Sequence, residues 1–134
     1  MQIELHEDRF LRILWDEGAR IIGIDWKEST AVMTSEEFKQ ELTVFAGYVE
    51  EKKAPAIIVD VSKFGHKMSP DVQPWRIKNI STRYNAAGVK RFAFLFAKDT
   101  LIPPTLSQSS EGEQFLTRAF NNLSEATAWL TTGA

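Results

Sequence analysis

A short stretch in the middle of the chain carries the functional groups of a serine hydrolase, Asp60, His66 and Ser69. In such enzymes a base removes the proton of a serine that a sharp turn exposes beside an oxyanion hole. No Gly-x-Ser-x-Gly turn surrounds Ser62 or Ser69. We therefore expect Asp60 to hydrogen-bond locally at a strand end and His66 to lie in a hydrated loop. The sequence predicts no catalytic residue and a protein that is not an enzyme.

Metal and cofactor chemistry has no sequence pattern either. His6 and His66 are the only histidines, they stand far apart, and no carboxylate is expected at ligand spacing beside either. The chain also has no cysteine to supply a thiolate ligand. No glycine-rich loop follows a predicted strand, so a nucleotide-binding phosphate cradle is not expected. The sequence predicts no metal site and no cofactor.

Length and composition place the chain among globular proteins. Its 134 residues correspond to a single domain, 1–134, and 43% of them are hydrophobic while 25% are charged. The net charge of −2 argues against a nucleic-acid partner, because neutralising phosphates requires a basic surface. No apolar run is long enough for a transmembrane segment, and the first residues do not resemble a secretory signal. A cytoplasmic location is the expectation that follows.

Hydrophobic periodicity and turn signals predict the elements that position these side chains. Strands are expected over Phe10–Trp15, Ala19–Trp26, Ala56–Val61 and Val89–Ala97, with a short edge strand over Ala119–Asn121. Helices are expected from the capping box at Thr34 to Lys53, from Asp71 to Ala87, from Glu111 to Arg118, and from an N-cap at Ser124. This order predicts an α/β sandwich in which helices pack on a mixed, mainly parallel sheet.

Three features, taken in this order, resemble the SpoIIAA-like group of STAS domains. They are the helix with its capping box, the buried strand ending at Asp60-Val61-Ser62, and the closing segment from Ala126 to Leu130. STAS domains of this group are relatives of bacterial anti-sigma-factor antagonists and share their architecture with CRAL-TRIO lipid-transfer domains. The resemblance spans Phe10 to Leu130 and implies a SpoIIAA-like sandwich.

In the antagonists, a serine at the start of the following helix is phosphorylated within an Asp-Ser-Ser-Gly turn. Asp60 and Ser62 match the strand end, and Ser69 falls at the position of that serine. Met68 and Pro70 flank it instead of the acidic residue and the second serine, and the glycine is missing. Ser69 is therefore a candidate phosphorylation site in a broken motif, and capping of the helix start is the alternative.

The helix predicted from Asp71 to Ala87 offers a candidate interaction surface. At 100° per residue, Ile77, Ile80 and Tyr84 cover the sheet and Trp75 lies nearly opposite them. An outward tryptophan beside arginines is typical of interface centres, and the alternative is a tryptophan folded over a solvated face. We predict a contact surface for a homodimer or a protein partner, formed by Trp75, Arg76, Asn79 and Arg83.

The connection from Lys98 to Ser110 is the second candidate. Long loops without secondary structure are often lids or binding loops. Leu101, Ile102 and Leu106 are apolar residues that need cover and form a candidate ligand lid, although the loop could equally pack across the sheet end. The leading hypothesis is a non-enzymatic interaction domain, and the alternative is a carrier of a small apolar or lipid-like ligand.

Overall fold

A computed structural model describes residues 2–101 and 113–131. Within these ranges the chain forms six β-strands, four α-helices, one 3₁₀ turn over Glu28–Val32 and one π-turn over Ile77–Ser81. The strands are β1 Gln2–Glu7, β2 Leu11–Asp16, β3 Ile21–Trp26, β4 Ala56–Asp60, β5 Arg91–Leu95 and β6 Leu116–Phe120. The helices are α1 Ser35–Lys52, α2 Val72–Arg76, α3 Thr82–Ala87 and α4 Leu123–Thr131.

The six strands form one sheet in chain order, β1-β2-β3-β4-β5-β6. β1, β2 and β3 are antiparallel neighbours, and β3, β4, β5 and β6 are parallel neighbours. The predicted hairpin between β2 and β3 and the α/β class with a mixed, mainly parallel sheet are confirmed. β1 was not predicted, because its apolar alternation is confined to Ile3 and Leu5 and the rest of its sequence is polar or charged.

Helix α1 begins and ends as its sequence predicts. The Thr34 hydroxyl accepts a hydrogen bond from the Glu37 amide, and the Glu37 carboxylate accepts one from the Thr34 amide. Lys53 ends the helix in the left-handed conformation. The buried face carries Phe38, Leu42 and Phe45, so one apolar stripe packs the helix on the sheet.

The second predicted helix is also present, with an unpredicted irregularity. α2, the π-turn and α3 follow one another without a break, and Gly88 closes them in the left-handed conformation with φ 93°. A π-turn spaces side chains by five residues instead of four, and such turns are frequent at functional sites. This turn faces the cavity described below.

Two predictions near the carboxyl end are wrong. Where a helix was expected from Glu111 to Arg118, the described part from Glu113 contains β6, whose residues Leu116–Phe120 pair in parallel with β5. The free edge of β5 provides backbone partners that outweigh local helix propensity. The last helix begins at Leu123 instead of after Ser124, and the Asn122 side chain accepts a hydrogen bond from the Glu125 amide.

Helices cover both faces of the sheet. The larger core joins one face to α1 and the α2–α3 region, and it includes Ile22, Phe45 and Ile80. The smaller core joins the other face to α4 through residues such as Ala93 and Leu130. Among the described residues, no helix combines the length and the apolar character needed to cross a membrane.

Candidate functional site

A cavity of about 480 Å³ lies between the sheet and the helices α1 and α2. Apolar side chains, many of them aromatic, form most of its wall: Ile24, Trp26, Phe38, Leu42, Val59, Val61, Phe64, Met68, Ile80, Tyr84, Phe92, Phe94, Phe96 and Phe115. Among residues 2–101 and 113–131, its polar lining residues are Gln73, Arg76, Glu113 and Thr117. A volume of this size and an apolar wall with few polar groups are typical of small-molecule binding sites.

Strand alternation explains why the wall is apolar. Ile24 and Trp26 of β3, Val59 of β4, and Phe92 and Phe94 of β5 point to the same face of the sheet. The parallel register pairs Ile24 with Val59 and Val59 with Phe94, which places these side chains side by side. The apolar floor of the cavity therefore follows from the side-chain positions along β3, β4 and β5.

One polar group of three residues lies at the cavity wall. Ser81 donates a hydrogen bond of 2.7 Å to Glu113 Oε2, and Arg76 Nη1 lies 3.1 Å from the same oxygen. Arg76 Nη1 also lies 3.3 Å from Ser81 Oγ, a contact between residues five apart that the π-turn brings to one side. The Glu113 side chain is 3% exposed and that of Arg76 is 23% exposed. The two charges are thus paired in a largely buried position.

Tyr84 also contributes a hydroxyl-bearing side chain to this wall. It is 3% exposed and packs edge-on against Phe45 and Phe115. Burial raises the pKa of its phenol, so the ring stays uncharged at any physiological pH.

The four residues of the predicted interaction surface occupy different environments. Trp75 is half-buried against the core, with Lys39 Nζ 5.5 Å from its ring, in a shallow groove beside α1. Arg76 turns to the cavity instead of outward, and Arg83 forms a two-point ion pair with Glu50 of α1. Asn79 is exposed and donates to the Trp75 carbonyl. Because Arg76 pairs with Glu113 at the cavity wall and Arg83 pairs with Glu50 of α1, the shared outward face expected from the sequence does not include Arg76.

The candidate lid is described only at its start. Leu101 is 93% exposed. Ile102 and Leu106 lie outside the described residues, so the lid stays a prediction.

The side chains of a hydrolase triad are not assembled. Asp60 accepts hydrogen bonds from the Ser62 amide and hydroxyl, as expected for a strand end. His66 Nδ1 lies 2.8 Å from the Met33 carbonyl and its ring stacks on Phe38, so it is more enclosed than predicted. Ser69 donates to Asp71 at 2.5 Å. Each of the three side chains has a separate partner outside the trio.

A second, polar site lies at the carboxyl ends of β3 and β4. Asp25 and Asp60 are register partners there, with Arg12 and Lys63 nearby. Burial, and then the charge of Asp60, raise the pKa of Asp25. The folded state therefore holds the Asp25 proton more tightly than the unfolded chain does.

This difference predicts how Asp25→Asn changes stability with pH. The stabilisation from the Asp25 proton is complete below the pKa of the unfolded chain, about 3.8, and is lost as pH rises through the higher pKa of the folded state. We expect Asp25→Asn to raise Tm by a few degrees at pH 7 and to leave it unchanged at pH 3, measured by thermal denaturation. Exposed Asp99→Asn is the control, and an equal Tm gain at both pH values would contradict the expectation.

One further cluster joins the first strand to α1. His6 Nε2 lies 2.9 Å from Asp8 Oδ2, and the Glu41 carboxylate stands beside them. Burial, and then the neighbouring Asp8, raise the pKa of Glu41 to about 8. The expectation that neither histidine has a carboxylate beside it at ligand spacing is wrong for His6, because Asp8 lies two positions further on and contacts its ring nitrogen. Glu41 could have been found as the acidic residue on the apolar stripe between Phe38 and Phe45.

Comparison of the chain with protein-family models, with curated proteins and with solved structures finds no match. The candidate function therefore depends on the chemistry of these sites.

Proposed function

We propose that this domain binds a small, uncharged, apolar ligand in the cavity between the sheet and the helices α1 and α2. The observation that carries the proposal is the cavity of about 480 Å³ with its nearly continuous aromatic and aliphatic wall. Unfilled apolar space costs stability, because its lining loses van der Waals contacts. A ligand that fills the space would restore those contacts.

The ion pair of Arg76 and Glu113 at the cavity wall favours an uncharged ligand. Arg76 is paired with Glu113, so its charge is compensated before any ligand enters. A charged ligand would lose its hydration shell without gaining a free counter-charge among the described lining residues. A hydroxyl, carbonyl or amide group could share hydrogen bonds with Gln73 or Thr117, and the rest of the ligand would contact rings.

The proposal is tested first on the purified wild-type protein. Native mass spectrometry reports whether a discrete extra mass travels with the chain, and solvent extraction recovers the molecule. We expect the ligand-free protein to bind an uncharged naphthylamine dye, detected by its fluorescence. Absence of both a retained mass and dye binding would contradict the proposal.

A matched pair of substitutions locates the binding site. Val61→Trp places a large ring at the cavity wall and is expected to weaken dye binding at least tenfold. Val32→Trp makes the same change at a side chain that is 64% exposed, and is expected to leave dye affinity unchanged. Equal affinities of the two variants would place the dye elsewhere on the protein.

Self-association and regulation through a protein partner remain the other hypothesis. Its support is Trp75, which is half-buried in the groove beside α1 and retains an accessible part. Arg76 and Arg83 each form an ion pair with a glutamate of the chain, so this surface has less free charge than the sequence indicated. The same native mass spectrum tests the homodimer, since a dimer appears at twice the chain mass.

Membership of the SpoIIAA-like STAS group is likewise a proposal. Its support is the order of elements around the buried strand β4 and the position of Ser69 ahead of α2. Phosphorylation of Ser69 has a cost in this arrangement. Hydrogen bonds from Ser69 and Lys39 lower the pKa of Asp71 to about 2, so a phosphate on Ser69 would meet an ionised carboxylate.

A further inference from the structure

The cluster of His6, Asp8 and Glu41 lies apart from the residues that line the cavity. It offers one imidazole nitrogen and two carboxylate groups, and one ligand atom from each residue lies within 4.8 Å of the others. These are the ligand types that bind zinc and related divalent ions in proteins. Zinc–nitrogen and zinc–oxygen bonds of 2.0–2.2 Å place two ligand atoms of one ion within about 4.4 Å of each other, so the three atoms stand close to ligand spacing.

A β-bulge directs His6 into the cluster. The pairing of β1 with β2 shifts between Glu4, which faces Leu14, and His6, which faces Ile13. Ile13 is fully buried in the core under α1, so His6 joins the face of the sheet that α1 covers. With regular alternation, Glu4 and His6 would point to the same face. Bulges of this kind re-aim a side chain.

Backbone hydrogen bonds fix the orientation of Asp8. Its Oδ1 accepts from the amides of Phe10 at 2.9 Å and of Leu11 at 3.2 Å, while Oδ2 is the oxygen beside His6. Supporting bonds that orient a ligating carboxylate are a regular feature of metal sites.

Glu41 provides the independent observation. The residue is 7% exposed, and its Oε2 is buried without a hydrogen-bond partner among residues 2–101 and 113–131. A buried acceptor without a partner is rare because its desolvation is not compensated. The Asp8 carboxylate lies beside it, with a ligand oxygen within 4.8 Å. A divalent cation between them would satisfy both.

We propose that His6, Asp8 and Glu41 form a binding site for one divalent metal ion of the zinc type. The ion is held by three protein ligands and completes its coordination with water, because the side chains of His6 and Asp8 are 28% and 31% exposed. The bound ion would connect β1 to α1. It would also give a partner to Glu41 Oε2, which has none among the described residues.

Zinc titration of the tag-free, EDTA-treated full chain tests this proposal. A chromophoric chelator competes for the metal, and we expect one Zn²⁺ per wild-type chain together with a higher Tm. His6→Ala and Glu41→Gln are each expected to weaken Zn²⁺ affinity at least tenfold. Glu51→Gln, an exposed carboxyl ten positions further along α1, is the control that should retain wild-type affinity.

Histidine NMR of the wild-type protein gives a readout that does not depend on whether the variants fold. Addition of Zn²⁺ is expected to shift the ring resonances of His6 and to leave those of His66 in place. Failure of the wild-type chain to bind Zn²⁺ would overturn the proposal and indicate that the two carboxyl groups share a proton. Binding that survives His6→Ala, or that shifts only His66, would overturn it as well.

Discussion

Phe45→Ala is expected to lower the free energy of unfolding by roughly 3–5 kcal/mol, measured by urea denaturation. Phe45 has no exposed surface and lies in the middle of α1, where its ring packs edge-on against Tyr84. Truncation removes its apolar burial and leaves a void that close-packed neighbours cannot fill. The expected loss is a large fraction of the stability of a domain of this size.

Phe94→Ala is the matched control for the cavity itself. Phe94 is partly buried and borders the cavity, so one side of its ring already lacks protein contacts. Because fewer contacts are lost, we expect a cost of roughly 1–2 kcal/mol, well below that of Phe45→Ala. Equal costs would mean that Phe94 is packed on all sides in solution and that the cavity is not open there.

Glu113→Ala is expected to cost roughly 2–4 kcal/mol in the same measurement, because Arg76 loses the partner of a largely buried charge. Ser81 loses its hydrogen-bond acceptor at the same time. Glu113→Gln keeps an oxygen for Ser81 and should cost less. A loss below about 0.5 kcal/mol would be typical of an exposed ion pair and would contradict the buried position.

The double replacement Arg76→Leu with Glu113→Leu tests how much of the cost of Glu113→Ala comes from the uncompensated charge of Arg76. Removing both charges avoids an uncompensated one, so the double variant is expected to be more stable than Glu113→Ala. A double variant less stable than the single variant would show that the pair is needed beyond charge compensation.

Local signals in the sequence predicted many of the elements correctly. Thr34 and Glu37 form the capping box that begins α1, and Gly88 ends α3, because these residues act on backbone groups within a few positions. The turn between β2 and β3 and the buried strands β4 and β5 follow from equally local patterns. Such features need no knowledge of the rest of the chain.

The errors occurred where distant segments compete with local preference. The helix expected to end at Arg118 is the strand β6, because the edge of β5 offers hydrogen bonds that no local pattern records. Arg76 was placed on one face with Arg83 because regular α-helical spacing was assumed across the π-turn that separates them. Its ion pair with Glu113 also depends on a residue far along the chain.

The candidate sites likewise depend partly on local sequence patterns and partly on contacts between distant segments. The sequence by itself determined an α/β chain whose buried strands β4 and β5 carry apolar residues on both faces, since strand periodicity is a property of neighbouring residues. Only the tertiary structure decided that the helices leave a cavity over one face of the sheet, and that a bulge turns His6 toward Asp8 and Glu41. The physical reason is that a cavity or a cluster is a relation between elements, set by packing and register across long stretches of chain.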